Sequence, residues 1–360
     1  MKKVLIANIF GIGDVLFTSP IAHSLRKTFP GISIDYLCNA RTRDIVRCIP
    51  GVGDIFIYEK DDYAALWKGS RTSCVKAIYG LFKQIKGKGY DAVFDLTNSR
   101  EFGFLFFLAG IPVRVGLDYK GRGLFLTHKV AFSGFSGKHV IEYYSDLLRR
   151  AGIEPQSNRM KIVPDNETVD WAESYVLEKG LDKGPFAAII PGGGASWGAH
   201  ASRKRWRAEG FARVAGMLEA RGIRTVILGD ASEKALCEYV SSEMITPPSA
   251  VENGLSLREY MGLLEKAEIV LCNDGGPLHM AVALGRKTVS VFGPVDEKVY
   301  GPYPMTRCHR VVKVTGLPCR PCYDRFKLPE CVNDHRCVVE ISPQKVAEVC
   351  MDLNEMDQEA

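Results

Sequence analysis

The sequence of 360 residues has no run of lysine and arginine interleaved with aromatic residues, and its net charge is only +5. Both features argue against a nucleic-acid binder. So mild a basic balance suits an anionic ligand or an anionic membrane surface. Long apolar runs are missing as well: the richest, Phe102 to Gly110, is helix-sized and too short to span a bilayer. There is no short-period repeat and no low-complexity tract. After the first apolar run the G-x-G-x-x-G fingerprint is absent, because Leu16 stands where its last glycine belongs, which speaks against a nicotinamide-dependent dehydrogenase. Lys2 and Lys3 before VLIANIF could open a secretory signal, but Gly11, Gly13 and Asp14 interrupt the apolar stretch and no small-residue cleavage site follows. A buried first strand in a cytoplasmic protein, at most peripheral to the inner membrane, is the expectation.

What is present suits a two-domain α/β protein. Hydrophobic residues make up 46% of the chain and charged residues 25%, near the globular average, and the length is comfortable for two cores. Short apolar runs alternate with amphipathic stretches, the pattern of a parallel sheet covered on both faces. The first series begins with KVLIA (Lys3 to Ala7) and closes with a helix near His139 to Ile153. The second begins with FAAIIPG (Phe186 to Gly192) and includes a helix announced by a Ser256/Glu259 capping box. Both series open with a strand that leads into a glycine-containing turn. Two Rossmann-like domains facing each other across a cleft are therefore expected, over 1–160 and 184–342, with ligands at the carboxyl ends of the strands. The segment between reads as linker, and the helix over 343–360 is expected to pack back on the first domain.

Three segments carry the chemistry. In GIGDVLFTSP, glycines after the first strand let a ligand approach the backbone, and Asp14 sits at the mouth of the sheet, where it either does acid–base work or caps a turn. In CNDGGPLHMAVALG, Asp274, Gly275 and Gly276 lead into a helix with His279 in its first turn. Free N–H groups at such a helix start suit a phosphate, and the alternative is an Asp-capped helix with a solvated histidine. In PGGGASWGAHASRKRW, three glycines are followed by Ser196 and the run Arg203, Lys204, Arg205. A basic run at a helix start opposes the helix dipole, which favours a bound anion such as a diphosphate, with Lys204 as its point charge.

These segments, with VFGPVDEKVYGPY (Val291 to Tyr303), follow one another in an order and spacing that resemble the heptosyltransferases of glycosyltransferase family 9. The resemblance implies a GT-B fold and an inverting, metal-independent transfer of heptose from an ADP-sugar to a lipopolysaccharide-core or other glycan acceptor. It implies Asp14 as the general base. Lys204, Ser196, Asp274, Gly275, Gly276 and His279 form the implied donor grip. One departure is Gly275, where the family usually has Thr or Ser. The residue contributes no hydroxyl, so the backbone and Lys204 carry more of the diphosphate. The nucleoside-facing acid is matched only approximately, by Asp230 or Glu233. For the acceptor side, Gly13, Arg41, Arg43, Lys120 and Arg122 are candidates to meet acidic sugars or phosphates of a lipid-linked glycan.

Of the eleven cysteines, Cys319, Cys322, Cys331 and Cys337 cluster in one loop over 319–337. A C-x2-C pair with two further cysteines close by has the spacing of a structural zinc or iron site. A closed site of four thiolates leaves no position for catalysis, so no catalytic cofactor is expected. Asp61 and Asp62 read as loop residues. Two other functions fit the same architecture: a nucleotide-sugar epimerase or hydrolase, and a non-catalytic nucleotide-sugar-binding protein.

Overall fold

The computed structural model describes residues 1–356, except the side chains of Ala195, Ser196 and Ala199. It divides into two compact units at Ile162/Val163. In the first unit, β1 (Lys3–Ala7), β2 (Ser33–Cys38), β3 (Val52–Ile57), β4 (Ala92–Asp95), β5 (Val113–Tyr119) and β6 (His128–Phe132) form one parallel sheet, ordered β3-β2-β1-β4-β5-β6. Its helices are α1 (Ile12–Leu16), α2 (Ser19–Thr28), α3 (Arg43–Arg47), α4 (Lys60–Gly69), α5 (Arg71–Lys88), α6 (Arg100–Leu108) and α7 (Val140–Arg150). The run VLIA of β1 is buried throughout, as a central parallel strand must be. Leu5, Ala7, Leu37 and Val93 point to one face, where they pack with Phe82 and Ile85 of α5 and with Phe102 and Phe106 of α6. Tyr36 has the opposite parity to Leu37. Its hydroxyl lies 2.8 Å from that of Thr18, at the start of α2, so α2 covers the other face.

In the second unit, β7 (Phe186–Ile190), β8 (Arg224–Leu228), β9 (Ala250–Glu252), β10 (Ile269–Asn273), β11 (Lys287–Phe292) and β12 (His309–Lys313) form a second parallel sheet, ordered β12-β11-β10-β7-β8-β9. Its helices are α8 (Asn166–Glu178), α9 (Ala208–Glu219), α10 (Lys234–Ser242), α11 (Leu257–Lys266), α12 (Gly276–Ala283), α13 (Glu297–Tyr300), α14 (Arg336–Val339) and α15 (Pro343–Glu355). The α/β class expected from the alternating pattern is present in both units.

Three local expectations are corrected. The segment taken as linker holds α8, which is capped by Asp165 and buries Thr168, Ala172 and Tyr175. A stripe made of Thr, Ala and Tyr does not read as apolar periodicity, yet its small residues let α8 press closely on Gly262 of α11. Asp61 and Asp62 lie in the first turn of α4 rather than in a loop, where acids favour the helix dipole. The C-terminal helix α15 belongs to the second unit. Val346, Ala347, Cys350 and Leu353 are buried in one core with Phe211, Val214 and Leu218 of α9 and with Val289 and Val291 of β11. Trp206 Nε1 donates to Ile341 O at 3.3 Å just ahead of it.

Each sheet reverses its strand order once, between β1 and β4 and between β7 and β10. Loops at such a switch point splay apart at the carboxyl ends of the strands and leave a crevice for ligands. Asp95 ends β4 at the first of these. It is buried, and its Oδ1 accepts from Thr97 N at 3.1 Å and Thr97 Oγ1 at 2.6 Å. Burial pushes its carboxyl up to about 6, against those hydrogen bonds.

Two measurements follow from this packing. Leu353→Ala empties a fully buried site and is expected to cost about 3 kcal/mol, read as faster amide exchange in β10 and β11 with the first sheet unaffected. For Asp95 the folded value lies above the ordinary one, so the native state holds the proton more tightly. Its contribution is complete below about pH 4 and is lost as pH rises through about 6, a fall of about 3 kcal/mol. Asp95→Asn keeps an acceptor for Thr97 and should flatten that slope in urea titrations. A slope unchanged by the substitution places the titrating group elsewhere.

Candidate functional site

Candidate groups gather at the switch point of each unit. In the second, the loop after β7 and the turn after β10 are bound together by Asn273, the last residue of β10. Its Nδ2 donates to Pro191 O at 2.9 Å and Gly192 O at 3.0 Å, and its Oδ1 accepts from Trp206 N at 2.8 Å. Glu233 fixes the same loop from the β8 side. Its Oε1 accepts from Gly193 N at 2.6 Å and pairs with Arg205 at 3.1 Å, while Arg205 Nε returns to Gly193 O at 2.8 Å. A side chain on Gly192 would collide with the Glu233 carboxylate, and Gly193 and Gly194 have φ of +95° and +81°. The glycines are thus required by close approach and by left-handed backbone.

The turn held in this way opens into α12, whose N-cap Gly275 supplies no side-chain cap. The first amides of α12 therefore have no intrahelical partner, Pro277 excepted, and carry the positive end of the helix dipole. Beside them Lys204 Nζ lies 2.7 Å from Asp274 Oδ2, with both side chains buried. The ammonium also sits 4.5 Å from the centre of the Trp197 ring, which packs on Tyr323. His279 is buried rather than solvated. Desolvation, with Lys204 adding to it, pushes its imidazole down to about 3. At neutral pH it offers hydrogen bonds and no charge. The side chain of Ser196 lies outside the described residues.

The basic run at 203–205 therefore does not stand as a cluster awaiting an anion. Lys204 is matched by Asp274, Arg205 by Glu233, and Arg203 donates to Pro329 O at 3.4 Å. Lys204 and Asp274, expected separately from two motifs, are one ion pair. Asn273 and Trp197 were not singled out, and Arg205 was expected only as part of the basic run, not as the partner of Glu233. Asn273 stands next to the expected Asp274, but an amide that binds backbone across two loops leaves no pattern in sequence.

In the first unit, α1 follows β1 directly. Asp14 is its third residue and is half-buried. Its Oδ2 accepts from Gly11 N at 3.2 Å, so it does cap the turn. An ionised carboxylate has about four acceptor positions, and capping leaves room for further bonds. Asn8 Nδ2 donates to Asp14 O at 3.0 Å, and Asn39 Nδ2 reaches Ile9 O and Phe10 O at 3.0 and 2.7 Å. The loop is thereby pinned from β1 and β2 by two asparagines. Of the residues considered for the acceptor, Gly13 lies in α1, while Arg41 and Arg43 follow β2 and are exposed. Lys120 and Arg122 follow β5, are exposed, and stand over the Tyr119 ring at 5.1 and 5.5 Å. All of them lie on the carboxyl-end side of the sheet: Gly13 beside Asp14 itself, Arg41 and Arg43 on the loop after the adjacent β2, and Lys120 and Arg122 beyond β4, on the loop after β5.

The four-cysteine loop is corrected. Cys319, Cys322 and Cys337 are half-buried and Cys331 is exposed, accepting from His335 N at 3.2 Å. Burial and the neighbouring thiols push Cys322 up, and Cys337 up to about 11. Among the described residues no three His, Cys, Asp or Glu side chains are arranged to hold a metal ion. Arg320 anchors the loop instead, with Nε 2.7 Å from Gly293 O and Nη2 3.0 Å from Glu297 Oε2. Also among the described residues, no helix is long and apolar enough to cross a membrane.

Comparison with known proteins agrees with this architecture. The family model for glycosyltransferase family 9 (heptosyltransferase) matches residues 78–332. Lipopolysaccharide heptosyltransferase 2 of Escherichia coli K12 is 24% identical, over 96% of this chain and 97% of its own. The solved structure of E. coli ADP-heptose LPS heptosyltransferase II is 22% identical, with a TM-score of 0.75 and complete coverage of both chains. The family 9 glycosyl transferase from Veillonella parvula DSM 2008 is also 22% identical, with a TM-score of 0.84 over 99% of this chain and 98% of that one. The fold is GT-B, and with the family model covering most of the sequence, this chain belongs to glycosyltransferase family 9, the heptosyltransferases, and is a glycosyltransferase.

Proposed function

We propose that the enzyme transfers heptose from ADP-heptose to a glycan of the lipopolysaccharide-core type, with inversion at the anomeric carbon. The observation that carries the donor half is the uncapped start of α12 beside Lys204. The α12 amides receive the diphosphate, and Lys204 shares its charge between Asp274 and a phosphate oxygen. Both act where negative charge grows as the bond from the anomeric carbon to the diphosphate oxygen breaks. Neutral His279 adds a hydrogen bond at most. Asp14 takes the proton of the attacking acceptor hydroxyl as the new glycosidic bond forms, and ADP departs with the electron pair. The relatives named for lipopolysaccharide heptosyl transfer, and the structure titled for ADP-heptose, support this choice of donor and acceptor. Arg41, Arg43, Lys120 and Arg122 are the cations proposed to meet the acidic groups of the acceptor.

Work on a lipid-linked acceptor calls for contact with the cytoplasmic side of the inner membrane. The proposed surface is the outer face of α6. Phe104, Phe107 and Leu108 are exposed there, with Leu124 beside them, and Arg100, Lys120 and Arg122 stand around the patch. Apolar side chains ringed by cations suit the interface of an anionic bilayer.

Acceptor-dependent ADP release tests the chemistry. Asp14→Asn should lower kcat by about 10²–10⁴-fold while ADP binding, measured by calorimetry, stays as it was. An unchanged kcat removes Asp14 as the base, and no release with ADP-heptose removes the donor. The membrane contact is read by sedimentation with phosphatidylglycerol vesicles. Phe104→Ser with Phe107→Ser should reduce the bound fraction several-fold, and equal binding would rule this surface out.

A further inference from the structure

A second charged concavity lies in the first unit, along α2. It is a cavity of about 320 Å³ lined by Ser19, His23, Arg26, Lys27, Pro50, Arg159 and Lys161. Four of the seven are permanently cationic, a fifth is histidine, and no carboxylate lines it. Ser19, His23, Arg26 and Lys27 recur at helical spacing, so one stripe of α2 forms one wall. The other wall is the extended strand of chain that follows α7. Met160 and Ile162 are buried while Arg159 and Lys161 are exposed, an alternation that turns both cations the same way. This wall is fastened to α2 at two points, Gln156 N to Ser24 Oγ at 3.0 Å and Lys161 N to Ser19 Oγ at 3.1 Å. The Arg26 guanidinium lies against Gly51, so close that a side chain there would meet it. The cations converge on His23, whose imidazole is pushed down by burial and then by Lys27, Lys161 and Arg26.

Like charges held this close on a fastened wall repel one another, and a bound anion offsets that cost. We propose that this cavity is a binding site for a phosphate-bearing ligand, a phosphate ester of a small molecule or the phosphate of a lipid headgroup. Its volume falls at the lower end of small-molecule pockets, which run from about 300 Å³ upward, and so leaves room for more than a bare phosphate. The ligand's dianion lies among Arg26, Lys161 and Arg159, and His23 gains a proton beside it. The site is separate from the transferase groups: it runs down the outer stripe of α2, on the sheet face opposite α6. The soluble ester is the favoured source, since the proposed membrane surface lies on that other face.

The test uses the full chain and its His23 imidazole resonance, assigned with His23→Gln. Titration with inorganic phosphate and with glycerol 3-phosphate should move that resonance saturably, tighter for the ester, and raise the apparent pKa of His23. Arg26→Ser combined with Lys161→Ser alters only exposed side chains and should weaken both titrations at least tenfold, with the melting temperature of the chain as a check on folding. No saturable movement, equal affinity in the double variant, or the same movement with sodium chloride at matched ionic strength would overturn the site. Flotation with phosphatidylglycerol against phosphatidylcholine vesicles identifies the source. A difference between wild type and the double variant assigns the lipid headgroup, and equal flotation with the ester titration intact assigns the soluble ester. Loss of heptosyl transfer in Asp14→Asn leaves this result untouched, so the two readings fail independently.

Discussion

The donor-side architecture depends on one side-chain amide. Asn273 ends β10 and spends both of its donor hydrogens and its carbonyl on backbone groups of the neighbouring loop, which itself follows β7. Two loops from adjacent strands of a parallel sheet have no ladder to align them beyond the strand ends, and buried carbonyls left there without donors would each cost about 1–3 kcal/mol. The amide supplies those donors, and in doing so it sets where the glycine turn lies relative to the start of α12. Lys204 and Asp274 meet because that distance is set.

The first unit meets the same need with different residues. Asn8 and Asn39 hold the loop after β1 from two strands, and Asp14 closes it by capping its own turn. In both units a short polar side chain at a strand end replaces the missing ladder, and the charged group of interest sits on the loop so fixed. A capping role and a chemical role for Asp14 do not compete, because the cap is what orients the carboxylate. The same holds for Lys204 and Asp274, whose pairing makes a buried ammonium tolerable and positions it.

Much of the fold was legible in sequence because it is written in local terms. Buried parallel strands read as continuous apolar runs, the glycine turns follow them, and the Ser256/Glu259 box marks α11 as found. The helix α8 escaped because its buried face is Thr168, Ala172 and Tyr175, residues whose burial is decided by the closeness of α11 and not by their own hydrophobicity. The placement of α15 escaped for a related reason. An amphipathic stripe announces that it will be covered and says nothing of the partner. At the site, the chemical types were legible and the pairings were not. Lys204 and Asp274 are seventy positions apart, and Asp95 takes its character from being buried next to the switch point.

The position of α15 in the second core bears on how the chain is made. Residues 1–162 form a unit that can close as soon as it has left the ribosome. The second unit cannot, since Leu353 and Cys350 complete a core begun by β7 and α9. From Lys313 at the end of β12 to Leu353 in α15 about 40 residues remain, which take roughly 2–8 s to synthesise at ordinary elongation speeds. Throughout that interval the apolar side of the sheet waits for its last helix, so during synthesis the second unit, rather than the first, is the one that leaves core surface uncovered.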